Sequence, residues 1–156
     1  MPTEAPDATE AIALLASVPH GRLAATLRAL PFVAPARHVV LPDAVLLRMH
    51  MGLGYHRACS GTVVAYGADN LTGRPPGPAG APEPGWSVQC IGTATIVRAT
   101  DEQRALFGPP PLRVDGEPFE PVYLRLVPEL TSIHRMEPAP GGFGERQGQH
   151  AVSTII

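Results

Sequence analysis

The chain is poor in aromatic residues, in charge and in cysteine. Phe, Trp and Tyr together make 5% of its 156 residues, so Val, Leu, Ile and Ala must build most of any core. Charged side chains reach 17% against 44% hydrophobic ones. That is ample for a core and thin for a solvated surface, which points to apolar surface covered by a partner chain. The formal net charge is -2, without the basic excess of a general nucleic-acid binder. No apolar run reaches the ~18 residues of a membrane span. The N-terminal stretch has no basic segment ahead of its apolar one and does not read as a secretory signal. The only cysteines, Cys59 and Cys90, form neither a Cys-x-x-Cys pair nor a metal cluster. Two buried thiols in a reducing cytoplasm are the expectation.

What is abundant is proline and glycine, 19 and 16 residues. So many turn formers argue against a helical bundle. The simplest organisation is one domain over residues 1–136 with a Gly-rich extension over 137–156. Asp7 to Val18 reads as a helix, with Asp7 or Thr9 as cap and Ile12, Leu14, Leu15 and Val18 as its apolar stripe. Strands are expected at Arg22–Leu27, Phe32–Val40, Val45–Met49, Thr62–Tyr66, Trp86–Val97 and from Val122 to Met136, the last interrupted near Pro128. Pro35 inside its strand requires a bulge or an edge, because proline donates no ladder hydrogen bond. Gly92 marks a bulge. Thr100 to Gln103 caps a short helix ending at Phe107. Thr72–Gly85 and Gly108–Pro121 are Pro-rich connections. Six short strands with turn signals between them suggest an antiparallel barrel, not a parallel α/β sheet.

Polar side chains gather between Ala29 and Leu71: Arg37, His38, Arg48, His50, His56 and Arg57, beside the Gly-rich bend Gly52-Leu53-Gly54. The histidine spacings are irregular and no Glu or Cys set accompanies them, so no metal site is expected. Ser60, Ser87 and Ser132 lack a Gly-x-Ser-x-Gly context, which leaves a hydrolase unsupported. The bend is neither a P-loop nor a dinucleotide fingerprint. No residue stands out as a catalytic acid or base.

The ordered set Gly-Arg-Leu-Ala, Ala-Leu-Pro-x-Val-x-Pro, a strand ending in Leu-Arg, Val-Val-Ala-Tyr, Gly-Trp-Ser-Val and Tyr-Leu-Arg-Leu-x-Pro resembles the pyridoxamine 5'-phosphate oxidase-like, FMN-binding split-barrel superfamily. Its small actinobacterial and nitroimidazole-resistance-like members are the most similar, and the likeness spans roughly residues 10 to 136. The resemblance implies a six-stranded antiparallel split β-barrel (Greek key) with two or three short helices, forming a homodimer with FMN between subunits. It implies an FMN-dependent oxidoreductase acting on a small molecule, with no nucleic-acid or membrane partner. Ala36, Arg37 and His38 would fall beside the flavin ring, and Arg48, Met49 and His50 along the ribityl-phosphate path. The family bend reads roughly Thr-x-x-Gly-Ser-Lys. Here Met49-His50-Met51-Gly52-Leu53-Gly54 stands in its place. Arg48, His50, His56 and Arg57, with backbone N–H groups at Gly52 and Gly54, would replace the missing hydroxyl and ammonium. Trp86 reads either as packing in a dimer face or as a wall against the flavin. Arg125 points either to the groove or to solvent. The altered bend also admits a relative using deazaflavin or haem, or a cofactor-free dimeric binding protein.

Overall fold

The computed structural model describes residues 7–73, 80 and 83–137. Most of the extension (138–156), the Pro-rich stretch at 74–79, 81 and 82, and the side chain of Asp7 with its proposed cap lie outside that description. The elements run α1 (Asp7–Ala16), β1 (His20–Leu27), β2 (Leu30–Val40), β3 (Val45–His50), a 3-10 turn (Met51–Leu53), α2 (Tyr55–Cys59), β4 (Thr62–Asp69), β5 (Gly85–Val97), α3 (Asp101–Leu106), β6 (Arg113–Val114), β7 (Glu117–Pro118) and β8 (Pro121–Met136). Strands β1-β2-β3-β8-β5-β4 close into an antiparallel barrel, and β6-β7 make a separate small hairpin within the second Pro-rich connection.

Alternation along the strands sends one set of side chains inward. Leu23, Ala34, Val45, Leu47, Val64, Tyr66, Val88, Cys90, Leu124 and Leu126 fill the interior, and Ala11 and Leu15 of α1 close one end of it. Each large apolar side chain so buried contributes ~1.5–3 kcal/mol. All six residues of β3 are buried. Its inner face meets this core. Its outer face, at Leu46, packs with Ala99 and Phe107 at either end of α3. The capping box of α3 is made as expected: Gln103 N–H donates to Thr100 Oγ1 at 3.1 Å, and Thr100 N–H to the Gln103 side chain at 3.0 Å.

β2 pairs with β1 from Leu30 to Arg37 and with β3 only from Arg37 to Val40. Pro35 therefore sits where β2 has a partner on one side alone, the edge that a residue without an N–H requires. β8 is not interrupted at Pro128. It continues to Met136 and absorbs the irregularity as a bulge, Ile91 facing Leu130 and Gly92 facing Pro128, so that Glu129 is the extra residue. Gly92 is required there: a Cβ would lie 1.9 Å from the Val127 carbonyl oxygen. The β1-β2 turn places Arg28 and Ala29 at φ 49° and 63°, left-handed values that cost a residue with a Cβ ~1–2 kcal/mol each.

Candidate active site

Arg37 and Arg48 are direct cross-strand partners on β2 and β3. Arg48 is 8% exposed. Its Nη1 donates to the Gly108 carbonyl at 3.0 Å, and its guanidinium carbon lies 5.1 Å from the Phe107 ring centre and 5.9 Å from that of Phe119. Arg37 donates to the carbonyls of Pro19 (3.1 Å), His38 and Leu106 (3.5 Å), and it also lies over Phe107. The Leu106 carbonyl ends α3, where the peptide dipoles present negative charge, and the Gly108 carbonyl lies just beyond its cap. Neither arginine has a carboxylate within ion-pair distance among the described residues. Burial lowers the Arg48 pKa, the Tyr123 hydroxyl raises it, and Arg37 lowers it. A guanidinium nevertheless stays protonated in water-accessible proteins. Two cations thus face each other with only dipoles and aromatic faces to offset them. The chain holds no lysine at all: its 12 basic side chains are arginines.

His50 extends the same outer face of β3. Its ring stacks on Phe119 with centres 5.5 Å apart, and its Nδ1 accepts the Glu120 N–H at 3.1 Å. The neutral ring therefore carries its proton on Nε2. A Cβ at Gly52 would come within 2.5 Å of that Nε2, so the glycine leaves room for the ring. Ala36, Arg37, Arg48, Met49 and His50 line one cavity of about 450 Å³. Leu53 lines it too, and so do His20 and the segment from Phe107 through Pro109–Pro111 to Phe119. Burial, then Arg37, then Arg48 depress the pKa of His20, so the field of the arginine pair reaches across the cavity.

The other candidates lie elsewhere. His38 is 2% exposed and faces the core. Its Nε2 meets the Leu15 carbonyl at 2.7 Å and its Nδ1 the Tyr66 hydroxyl at 2.5 Å. The tautomer follows: Nε2–H donates, Nδ1 accepts. Gly21 makes space for that hydroxyl, since a Cβ there would fall 2.5 Å from it. Gly54, at φ 76°, separates the 3-10 turn from α2. His56 is buried with its Nδ1 unpartnered, and burial, with Arg57 beside it, lowers its pKa. Arg57 is exposed on α2. Trp86 is buried, its backbone held by Asn70. Arg125 forms an ion pair with Asp43. None of these lines the arginine cavity. Phe107, the triple proline and Phe119 were missed in the sequence; the signal was an aromatic residue at each end of a Pro-rich connection.

A closed six-stranded antiparallel barrel with a cationic groove along β2 and β3 defines the class of a split barrel. The family model described as pyridoxamine 5'-phosphate oxidase matches residues 7–139, and the chain belongs to that family. It is 40% identical over 96 residues to an uncharacterised protein of Mycobacterium tuberculosis, a match spanning 58% of this chain and 59% of that protein. Among solved structures it is similar to the FAD binding protein from Mycobacterium smegmatis, at 26% identity and TM-score 0.62, over 83% of this chain and 97% of that one. The FAD and heme binding protein from the same organism shares the fold, at 17% identity and TM-score 0.60, over 86% and 73% of the two chains.

Proposed function

We propose that the protein is a cytoplasmic, homodimeric oxidoreductase that holds FMN in the Arg37–Arg48 groove and acts on a small molecule. The observation that carries this reading is Arg48, buried opposite a second arginine with no carboxylate counter-ion among the described residues. Such a pair fits a phosphate dianion, which accepts charge-assisted hydrogen bonds from both guanidiniums. His50, protonated on Nε2, adds a donor. The FAD-binding relative supports a flavin as the phosphate's bearer. The flavin supplies hydride or single-electron transfer once bound. The chain's own part is to fix the phosphate with Arg37 and Arg48, offer the small residues of Pro35–Ala36 as a flat wall, and keep water from the arginines with Phe107 and Phe119.

Dimerisation is supported by a bare apolar row on the outer side of the barrel. Val33, Ala24, Ala65, Ile91 and Leu130 are successive cross-strand partners over β2, β1, β4, β5 and β8. They form an apolar outer row, Val33 being 60% and Leu130 61% exposed. A second copy of the chain is the occupant proposed. A haem axial ligand finds less support at His38, because both of its ring nitrogens are already engaged. FMN titration of the purified protein, followed by flavin fluorescence and visible absorbance, tests the reading. Stoichiometric quenching is expected; no binding in the micromolar range would end it. Light scattering tests the dimer, and a monomer would end that part of the reading.

A further inference from the structure

A second cavity, of about 610 Å³, opens on the outer face of β1, β4 and β5 and shares His20 and Pro35 with the arginine groove. Its floor is Gly67, the cross-strand partner of Arg22 on one side and of Gln89 on the other. A Cβ at position 67 would meet only the Val88 carbonyl oxygen, at an ordinary 3.4 Å, and no positive φ is recorded there. Neither packing nor backbone conformation therefore demands glycine at 67. What a side chain would take up is the cavity. Arg22 makes no ion pair among the described residues. Asp69 lines the same cavity without pairing with Arg22, and one of its carboxylate oxygens accepts the Leu71 N–H at 3.0 Å. His134, reached from Asp69 through Ser87 along one cross-strand row, adds a further donor at the rim.

We infer that this cavity is a binding site for a small organic anion, seated over Gly67 with its charge on Arg22 and its polar edge on Gln89 and His134. Because the cavity abuts the groove at His20 and Pro35, a flavin held in the groove would have this occupant as its neighbour. That placement rests on the flavin reading; the binding itself does not. A free guanidinium beside a carboxamide and an imidazole suits a carboxylate or sulfonate, and an uncharged ligand of the same size leaves Arg22 unpaired.

The test uses anthraquinone-2,6-disulfonate as probe and menadione as its uncharged counterpart, titrated calorimetrically into the full chain with and without FMN. The parent is expected to bind the disulfonate more tightly than menadione. Arg22→Ala should weaken the disulfonate about ten-fold or more, Arg22→Lys should recover much of that, and Arg113→Ala, an exposed arginine on β6, should change nothing. Gly67→Val, checked for folding by circular dichroism, should abolish probe binding and leave FMN affinity within about two-fold. The inference is overturned if the parent does not bind the probe, or if Arg22→Ala binds it as the parent does. Equal weakening by Arg113→Ala would reduce the effect to general charge and also overturn it. Loss of FMN together with the probe in Gly67→Val would make the cavity part of the flavin groove, not a separate site. Probe binding without any FMN binding would retain the site and remove the flavin reading.

Discussion

Arg37 and His38 are successive residues of β2 and face opposite sides of the barrel wall. Inside, His38 sits between the Leu15 carbonyl and the Tyr66 hydroxyl, with both ring nitrogens engaged. That cluster is closed: every polar atom it buries finds its partner within the same domain. Outside, Arg37 and Arg48 are matched to each other in register and only partly offset by carbonyls and aromatic faces. The first arrangement spends its hydrogen bonds on architecture. The second leaves its charge without an anionic partner among the described residues. Buried polar groups differ in purpose according to whether they are satisfied, and satisfaction can be read from distances.

The contrast predicts different losses on the two sides of the wall. Tyr66→Ala removes the largest fully buried side chain and should cost ~3–5 kcal/mol of stability in urea denaturation, with the FMN affinity of the folded fraction kept. Arg48→Met should do the reverse. Stability holds or rises, because an uncompensated buried charge is gone, while FMN affinity falls by roughly 30-fold or more, on the order of 2–3 kcal/mol for lost charge-assisted bonds. If Arg48→Met destabilises the protein and its folded fraction binds FMN as the parent does, the assignment of the two clusters is inverted. Tyr66→Phe keeps the ring and deletes the hydroxyl, leaving the His38 Nδ1 without its donor; a loss of ~1–3 kcal/mol is expected.

The smallest effect is a pH dependence. Burial holds the His38 pKa below the ordinary 6.5, and the Leu15 carbonyl opposes that shift. His20 and His56 are shifted in the same direction by burial. A histidine with a depressed folded pKa is kept neutral by folding. The unfolded chain then binds more protons below about pH 6.5. Stability is therefore complete above that pH and declines as pH falls from it toward the folded-state pKa, by at most ~1.4 kcal/mol per pH unit for His38. Urea midpoints measured from pH 7.5 to 5 should show the decline, and His38→Gln should flatten it. A profile unchanged by that substitution would mean that the His38 ring titrates normally.

Much of the architecture was legible because it depends on local chemistry. The Thr100–Gln103 box, the edge position of Pro35 and the bulge at Gly92 each follow from one residue type in one setting. The site was legible only in part. Alternation forbids three successive strand residues from presenting their side chains to one side, and Ala36, Arg37 and His38 accordingly divide between the two faces. Which face carried the groove depended on α3 and its Pro-rich connection folding over Arg48, a contact 60 residues away in the chain that no local pattern announces. The continuity of β8 past Pro128 was hidden for a related reason: an extra residue, Glu129, restores the ladder that the proline disturbs.

β8 also sets the order in which the protein can come into being. β1 and β2 are joined by a two-residue turn, and β2–β3 and β4–β5 likewise pair with their chain neighbours, so these ladders can form as soon as they are synthesised. β8 alone bridges β3 and β5. Until Met136 has left the ribosome the barrel stays open, with Leu47 and Ala94 lacking their partners Leu124 and Leu126. A nascent chain stalled before β8 is thus a sheet with two unsatisfied edges, a natural client for a chaperone.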